Sequence, residues 1–297
     1  MENDNQPLVS VVIACYNHEH FVQDCIQSVI DQTYENIELI IIDDGSKDRS
    51  VEKIQEMIFA CEKRFKRFEF RYRPNKGLSR TLNEALVWCE GEYYSPFASD
   101  DIMFVNKIEI QVKYLELNIQ CAGVFGAFQI IDNDGVVIGL RKKNTKKYKF
   151  EDIFLHRHEL PAPTQLLRTH LVKEVGCYPE NILIEDWYMW LRMTELKLSL
   201  NYVDNILVKY RRHENNTSKK LDIMMESRSI IIERFKSHYL YNDALACAYL
   251  VSANDYISID KGKSWNFYLK FRKIKNKGNY FASFKYVIKI TLSFFIN

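Results

Sequence analysis

The sequence has no glycine-rich phosphate loop: neither a G-x-G-x-x-G pattern nor a Walker motif occurs in its 297 residues. In many nucleotide-binding folds the backbone amides of such a loop hold the phosphates at a helix N-terminus. A phosphate-bearing ligand would therefore need another positive partner in this protein. A metal ion on carboxylates is the natural substitute, because Mg²⁺ and Mn²⁺ accept oxygen ligands together with phosphate and water.

Cysteine pairs and long apolar runs are also missing. None of the seven cysteines belongs to a C-x-x-C pair, and most lie among apolar neighbours. This pattern predicts reduced, buried cysteines in a cytosolic protein, and neither a zinc site nor a disulfide framework. No stretch approaches the ~20 apolar residues of a transmembrane helix. The polar, acidic segment Met1–Pro7 predicts that there is no signal peptide.

Acidic residues are absent after Asp260, whereas nine basic residues follow it. These are Lys261, Lys263, Lys270, Arg272, Lys273, Lys275, Lys277, Lys285 and Lys289. The formal charge of the whole chain is only +2, which argues against a nucleic-acid-binding protein. The apolar fraction of 47% is ample for a packed core.

Strand-like and helix-like segments alternate through the first ~100 residues. Runs rich in β-branched and aromatic residues occur at 9–14, 37–42, 68–72 and 93–98, and amphipathic helical patterns lie between them. Alternation of this kind predicts an α/β protein with a mostly parallel, doubly wound, Rossmann-like sheet and right-handed crossovers. From Leu221 onward the pattern is helical.

Polar residues follow three of these strands where each ends. They are Tyr16 and Asn17, then Asp43 and Asp44, then Asp100 and Asp101. In an open α/β sheet, ligands bind at the carboxyl ends of the strands, so we expect these residues at one edge. Adjacent carboxylates repel each other and favour a cation between them. The alternative for Asp100–Asp101 is an ordinary solvated turn.

Two later segments each allow a structural and a functional interpretation. The basic run from Arg141 to Lys149 is either a solvated face or a loop that meets a phosphate-bearing substrate. Glu185 and Asp186 stand where an amphipathic helix begins, which favours capping through the helix dipole. The flanking Trp187 and Trp190 would also raise a carboxylate pKa towards the range of a general base.

Six short motifs occur along the chain in a defined order. They are Ser10–Asn17, Ile42–Ser46, Asn75–Gly77 with Leu82–Asn83, Gly91–Asp101, Glu185–Arg192 and Tyr210–Ser218. In this order they resemble the family 2 glycosyltransferases of GT-A fold, in particular bacterial O-antigen and capsule polysaccharide enzymes, over roughly Leu8–Ser218. We therefore predict a GT-A domain at residues 1–218 and a helical C-terminal extension at 219–297.

The resemblance implies inverting transfer of a sugar from a nucleotide-diphosphate donor, a UDP-sugar, to a hydroxyl of a lipid-linked saccharide. It implies the following roles: base and donor binding by Tyr16, Asn17, Asp43, Asp44, Arg80, Asn83 and Asp100; Mn²⁺ or Mg²⁺ on Asp101 and His213; and general-base catalysis by Asp186 supported by Glu185. Asp100 would contact the ribose. Many members carry arginine where this chain has Leu82, so Arg80 is the substitute we consider for the diphosphate contact.

The C-terminal tail after Asp260 predicts where the enzyme is located in the cell. An apolar stripe at Phe281, Phe284, Ile288, Leu292 and Phe295, flanked by Lys285 and Lys289, fits an interfacial helix on an anionic leaflet. The alternative is a helix packed on the catalytic domain or on a partner subunit, in a homo-oligomer for example. We expect a cytoplasmic enzyme, peripheral on the inner face of the cell membrane.

Two other functions remain open at this point. The first is a polyprenyl-phosphate sugar synthase, whose acceptor is a phosphate. Such an acceptor depends less on a general base at Asp186. A non-catalytic subunit that binds sugar nucleotides is the second, although the presence of Asp101 and Asp186 argues against it.

Overall fold

The computed structural model describes residues 6–214, 220–274 and 286–291, which form two compact units. The first unit contains the chain up to Phe150, Glu159–Glu180 and Glu185–Glu214. The second contains Glu151–His158, Asn181–Ile184 and the described residues after Asn215. The predicted domain boundary at residue 218 lies outside the described residues.

Four parallel strands form the first half of the sheet. They are β1 (Val9–Cys15), β2 (Ile37–Asp43), β3 (Phe68–Tyr72) and β4 (Tyr93–Ala98), joined by α1 (Val22–Ile30), α2 (Ser50–Gln55), α3 (Ile58–Arg64) and α4 (Leu78–Trp88). Their order is β3-β2-β1-β4. All of β2 and nearly all of β1 are buried, as expected for strands covered on both faces. The predicted α/β fold is confirmed.

The rest of the first unit widens this sheet with mixed pairings. The elements are β5 (Ile102–Met103), α5 (Lys107–Leu117), β6 (Cys121–Ile131), β7 (Val137–Arg141), β8 (Lys146–Tyr148), β9 (Leu166–Arg168), α7 (Thr169–Glu174), α8 (Glu185–Glu195) and β10 (Ser199–Arg211), while α6 (Phe150–Phe154) belongs to the second unit after Phe150. The order continues β4-β9-β6-β10-β5, with β7 paired to β6 and β8 to β10. The long strand β10 pairs with β6 through several register shifts.

The strand register fixes which residues share an edge. Cys15 lies beside Asp43 across the β1–β2 pair, and Ala14 lies beside Ala98 across the β1–β4 pair. The residues that follow these strands therefore emerge at one edge of the sheet. On β6 and β10, Ile131 lies beside Arg211. All seven cysteines are free, and five of them are buried.

Lys107 is a fully buried lysine at the start of α5. Its Nζ donates to Ser95 Oγ at 2.9 Å and to the Gln165 carbonyl at 3.4 Å. Burial without a carboxylate partner among these contacts lowers its pKa to about 7. At higher pH the unfolded chain keeps this proton while the folded protein does not, so Lys107 adds stability as pH rises from about 7 towards 10.4.

We therefore expect Lys107→Met to change the pH dependence of stability. Between pH 7.5 and 8.5, the unfolding free energy of the natural protein should rise by about 1 kcal/mol relative to that of the variant. Urea unfolding of both proteins at each pH measures this gap, and the other titrating groups cancel in the comparison. A gap independent of pH would show that Lys107 stays protonated in the fold.

The second unit is helical in its last part. It contains α9 (Leu221–Arg234), α10 (Tyr241–Tyr256) and α11 (Lys261–Ile274). Tyr286 and Ile290, on a helical turn, are buried in a cluster with α10 and α11 residues. Of the predicted apolar stripe only Ile288 is described, and it is 43% exposed. Phe281, Phe284, Leu292 and Phe295 lie outside the described residues.

Within residues 6–214, 220–274 and 286–291, no helix has both the length and the apolar character that crossing a bilayer requires.

Candidate active site

The loop after β1 is held to the loop after β2 by Asn17. Its backbone lies in the left-handed region at φ +56°, which asparagine tolerates better than most residues. The Asn17 amide donates to Ser46 Oγ at 2.8 Å, and its Oδ1 accepts from the Lys47 amide at 2.8 Å. Tyr16 is 43% exposed, so its ring is available to a flat ligand such as a base.

Asp43 and Asp44 organise the loop after β2. Asp43 accepts from the amide and the hydroxyl of Ser46 at 2.8 and 2.6 Å. Gly45 lies at φ +77°, and a Cβ there would stand 2.5 Å from the Asn75 nitrogen, so this close approach requires glycine.

Asp44 is buried and binds the loop that follows β3. It accepts from the amides of Lys76 and Gly77 at 2.8 and 2.9 Å and pairs with the Arg73 guanidinium. A groove beside this pair is lined by Phe70, Arg71, Tyr72, Arg73, Lys76 and Glu84. Asp44 therefore shapes one wall of an open groove through Arg73 and Lys76.

Arg80 and Asn83 have partners in a distant part of the first unit. Arg80 forms an exposed ion pair with Glu180 at 2.6 Å. Asn83 makes two hydrogen bonds, both of 2.8 Å, with the backbone of Tyr178. Leu82, which stands where many members carry arginine, is buried in the core. Asn83 thus holds the segment that leads into α8, and Arg80 lies at the surface.

Asp101 is fully buried and anchors the end of β10. Its Oδ1 accepts from the Arg211 amide at 2.8 Å, while Arg211 Nε donates to the Asp100 carbonyl at 2.9 Å. The Arg211 guanidinium also donates to the carbonyls of Asp132 and Asn133. Burial, together with the neighbouring Asp100, raises the pKa of Asp101 well above its usual value.

Asp100 lies between two histidines. His213 Nε2 is 2.8 Å from Asp100 Oδ2, His18 Nε2 is 4.0 Å from the same oxygen, and one ligand atom of each residue lies within 4.8 Å of the others. His18 Nδ1 is 2.7 Å from Ser99 Oγ, which leaves Nε2 directed at the group. Burial lowers the pKa of His18 and favours the neutral imidazole, the form that ligates metals.

These three side chains fit a divalent metal ion. Two imidazoles and one carboxylate suit Mn²⁺ and related transition metals better than Mg²⁺, which prefers oxygen ligands throughout. We had expected Asp101 and His213 to share the metal and Asp100 to contact the ribose. The group that the structure brings within ligating range contains Asp100 and His213, and Asp101 is not part of it.

Glu185 and Asp186 form the first two residues of α8. Asp186 is half-buried, and its Oδ1 accepts from the Trp187 amide at 2.6 Å, which is a local capping bond. Burial raises the pKa of Asp186 to about 6, although this hydrogen bond opposes the shift. Burial and the Asp186 charge raise the pKa of Glu185 as well. The capping bond and the raised pKa of Asp186 are therefore both present.

A buried polar chain ties α8 to the sheet. Trp190 Nε1 donates to Gln165 Oε1 at 3.2 Å, and the Gln165 carbonyl accepts from Lys107. Gln111 Nε2 donates to the carbonyls of Thr164 and Val124 at 2.7 and 3.0 Å. The helix that carries Asp186 thus binds the segment before β9 through Trp190, and side chains of α5 hold that segment in place.

Sequence similarity decides the family. The profile of glycosyl transferase family 2 matches residues 10–175, more than half of the chain. The chain belongs to glycosyl transferase family 2. An uncharacterized glycosyltransferase of Haemophilus influenzae is 32% identical over 255 residues, which cover 80% of this chain and 76% of that relative. One from Rickettsia felis is 28% identical over 235 residues, covering 77% of this chain but only 38% of the relative.

Solved glycosyltransferase structures share the fold at low identity. Staphylococcus aureus TarS 1–349 in complex with UDP-GlcNAc has a TM-score of 0.67 and 17% identity, covering 90% of this chain and 81% of that one. The mannosyltransferase PcManGT of Pyrobaculum calidifontis, in complex with GDP-Man and Mn²⁺, has a TM-score of 0.61 and 11% identity, covering 97% and 87%. The likeness confirms the GT-A fold predicted for this glycosyltransferase.

Sequence reasoning missed two residues of this glycosyltransferase site, His18 and Arg211. His18 directly follows the motif Ser10–Asn17. Its partners Ser99 and Asp100 are more than 80 residues away in the chain, so the sequence alone did not connect them. Arg211 is buried and binds both Asp100 and Asp101 through the hydrogen bonds described above. Its place in the closing motif Tyr210–Ser218 was the available signal.

Proposed function

We propose that this glycosyltransferase moves a sugar, with inversion, from a UDP-sugar to a hydroxyl of a lipid-linked saccharide in surface polysaccharide biosynthesis. The observation that carries the proposal is the combination of two sites in one unit. One is the His18–Asp100–His213 group at the strand edge, and the other is the carboxylate pair with a raised pKa at the start of α8.

Asp100, His213 and His18 would hold the divalent ion, Mn²⁺ in preference to Mg²⁺. When bound there, such an ion neutralises the charge that develops on the leaving diphosphate. Arg211 positions Asp100 through its backbone carbonyl, and Ser99 orients His18. This assignment moves the metal from Asp101 to Asp100 and gives Asp101 the task of fixing the end of β10.

The donor base would lie on the exposed Tyr16 ring, beside the groove whose wall is set by Asp44. Asp43 and Asn17 keep the two loops in register. In solved relatives of this fold the bound donors are UDP-GlcNAc and GDP-Man, which supports a nucleotide sugar. UDP is the proposed nucleotide because the sequence motifs resemble those of family 2 glycosyltransferases, and this resemblance implies a UDP-sugar.

Asp186 would take the proton of the acceptor hydroxyl. A carboxylate with a pKa of about 6 is ionised at neutral pH yet basic enough to accept a proton in the transition state. Burial and the Asp186 charge raise the pKa of Glu185, so Glu185 would support the base as a neutral neighbour. A base tuned in this way favours a hydroxyl acceptor over a phosphate acceptor, which carries no proton that must be removed at pH 7.

A screen of nucleotide sugars with the purified protein tests the proposed activity. We expect release of the nucleotide diphosphate from one UDP-sugar in the presence of Mn²⁺, with slow hydrolysis when no acceptor is present. Addition of a polyprenyl-diphosphate-linked saccharide should speed release and give a product of inverted anomeric configuration. Binding of sugar nucleotides without any turnover, even with acceptor, would favour a non-catalytic subunit.

Asp44→Asn should weaken donor binding. The variant loses the charge that holds Arg73 and the two amides of the groove wall, so we expect the donor dissociation constant to rise at least ~10-fold, about 1.4 kcal/mol. Turnover at saturating donor should change little. Calorimetric titration with the nucleotide measures the change, and Arg49→Ala, at an exposed arginine paired to Glu52, is the control. Unchanged affinity would remove Asp44 from the donor site.

A further inference from the structure

The strand β7 exposes apolar side chains at an edge of the sheet. Val136, Val137, Ile138 and Leu140 are 58, 50, 57 and 49% exposed. Among the described strands β7 pairs only with β6, so its other backbone edge is open. Native proteins usually cover or charge such an edge, because an exposed apolar edge strand binds other surfaces.

The segment that follows β7 is strongly basic. Between Val136 and Phe150 there are six basic residues and no acidic one, and all six are exposed. They are Arg141, Lys142, Lys143, Lys146, Lys147 and Lys149. Lys142 and Lys143 form exposed ion pairs with Asp204 and Glu159 at 3.5 and 3.4 Å, which contribute little. Apolar and cationic groups thus lie next to each other along residues 136–149, which we name the hairpin surface.

The basic residues on β8 lie away from the strand edge that carries the metal group. Lys146 pairs with Tyr202 on β10, nine residues before Arg211, which binds Asp101 at that edge. Nine residues of a regular strand span roughly 30 Å, and the register shifts of β10 shorten this distance. The apolar strand β7 lies closer to the site, because Val137 pairs with Ile131, which lies beside Arg211.

We propose that the hairpin surface docks on an anionic lipid bilayer. The exposed valine, isoleucine and leucine side chains enter the headgroup boundary, and the basic residues bind the lipid phosphates. Charge decides the choice of partner: two copies joined through β7 would bring six cations on each copy together, whereas an anionic surface complements them. This inference does not depend on the proposed reaction, and the surface belongs to the first unit rather than to the C-terminal tail.

Vesicle co-sedimentation of the full chain tests the proposal, with phosphatidylcholine alone and phosphatidylcholine mixed with phosphatidylglycerol. The natural protein should bind the mixed vesicles and bind the neutral ones weakly. Lys146→Gln with Lys147→Gln should reduce binding to the mixed vesicles by about 10- to 30-fold, since each basic residue near such a surface adds about fivefold or less. Ile138→Glu with Leu140→Glu should reduce it to a similar degree, and this loss should persist at high salt.

Matched variants elsewhere on the surface provide the controls. Lys63→Gln with Lys66→Gln removes two exposed lysines, and Val87→Glu with Leu117→Glu changes two exposed apolar residues. Both controls should bind as the natural protein does. Hairpin variants that bind vesicles fully would overturn the proposal and leave docking to another part of the chain. A dimer of the natural protein that Ile138→Glu with Leu140→Glu dissociates, with vesicle binding unchanged, would assign the surface to a second copy instead.

Discussion

Asp186→Asn is expected to lower turnover at least ~100-fold while leaving donor affinity nearly unchanged, because a general base contributes about 10²- to 10⁴-fold to rate. Asparagine is nearly isosteric, and its Oδ1 can still accept from the Trp187 amide. The proposed donor site consists of Tyr16 and the groove lined by Arg73 and Lys76, which Asp44 holds, so the substitution removes the base without changing these residues. Steady-state kinetics together with nucleotide titration separate the two effects.

The pH profile provides the signature of a base as opposed to a structural carboxylate. Because burial raises the pKa of Asp186 to about 6, the ionised form is lost, and turnover falls, as pH drops below about 6. An ordinary aspartate would put this limb near pH 4. Asp186→Asn should abolish the limb, and Asp186→Glu should retain it with reduced turnover. If Asp186→Asn mainly weakened donor binding, Asp186 would belong to the donor site.

The same substitution should stabilise the fold. A carboxyl group whose pKa is raised in the folded state favours its protonated form, so its ionisation costs stability. This cost is absent below about pH 4, grows as pH rises towards 6 and is full above that. We therefore expect Asp186→Asn to raise the unfolding free energy by about 1–3 kcal/mol at pH 7. A variant with lower turnover and higher stability is the result expected when a catalytic group costs the fold stability.

The local structure of the first half of the chain could be predicted because each strand is a run rich in β-branched or aromatic residues and is followed by polar residues. The β-branched runs of β1 and β2 are buried on both faces, which allows few alternatives. The carboxyl ends of parallel strands meet at one edge by topology alone, so the participation of Tyr16, Asp44 and the Asp100–Asp101 pair in one region was predictable.

The side-chain contacts within that region could not be predicted, because they join residues far apart in the chain. Asp100 and Asp101 are adjacent carboxylates with the same local pattern. Arg211, some 110 residues later, binds the Asp101 carboxylate and leaves that of Asp100 for His213. The strand β9 has only three residues, yet it lies between β4 and β6 and makes the sheet mixed there. No periodicity within three residues reports such a placement.

Asp100→Asn should abolish binding of Mn²⁺, whereas Asp101→Asn should largely retain it. Asp100 is the only carboxylate in the described ligating group, and an amide oxygen is a weak substitute for it. Asp101→Asn keeps an oxygen that can accept from the Arg211 amide, and it removes a buried carboxyl group whose pKa is raised. The two variants differ by one position and by no formal charge, so each serves as the control for the other.

Titration of the protein with Mn²⁺, followed by the electron paramagnetic resonance signal of the free ion, measures metal binding without any turnover. Donor is added in a second series, because a diphosphate would supply further oxygen ligands to the ion. His18→Gln should weaken Mn²⁺ binding about tenfold or more, as loss of one imidazole ligand does, and His20→Gln, at an exposed histidine two residues later, should not. Loss of binding in Asp101→Asn with retention in Asp100→Asn would return the metal to Asp101. Equal loss in both would instead show that the ion needs the whole turn, held at the end of β10 by Arg211.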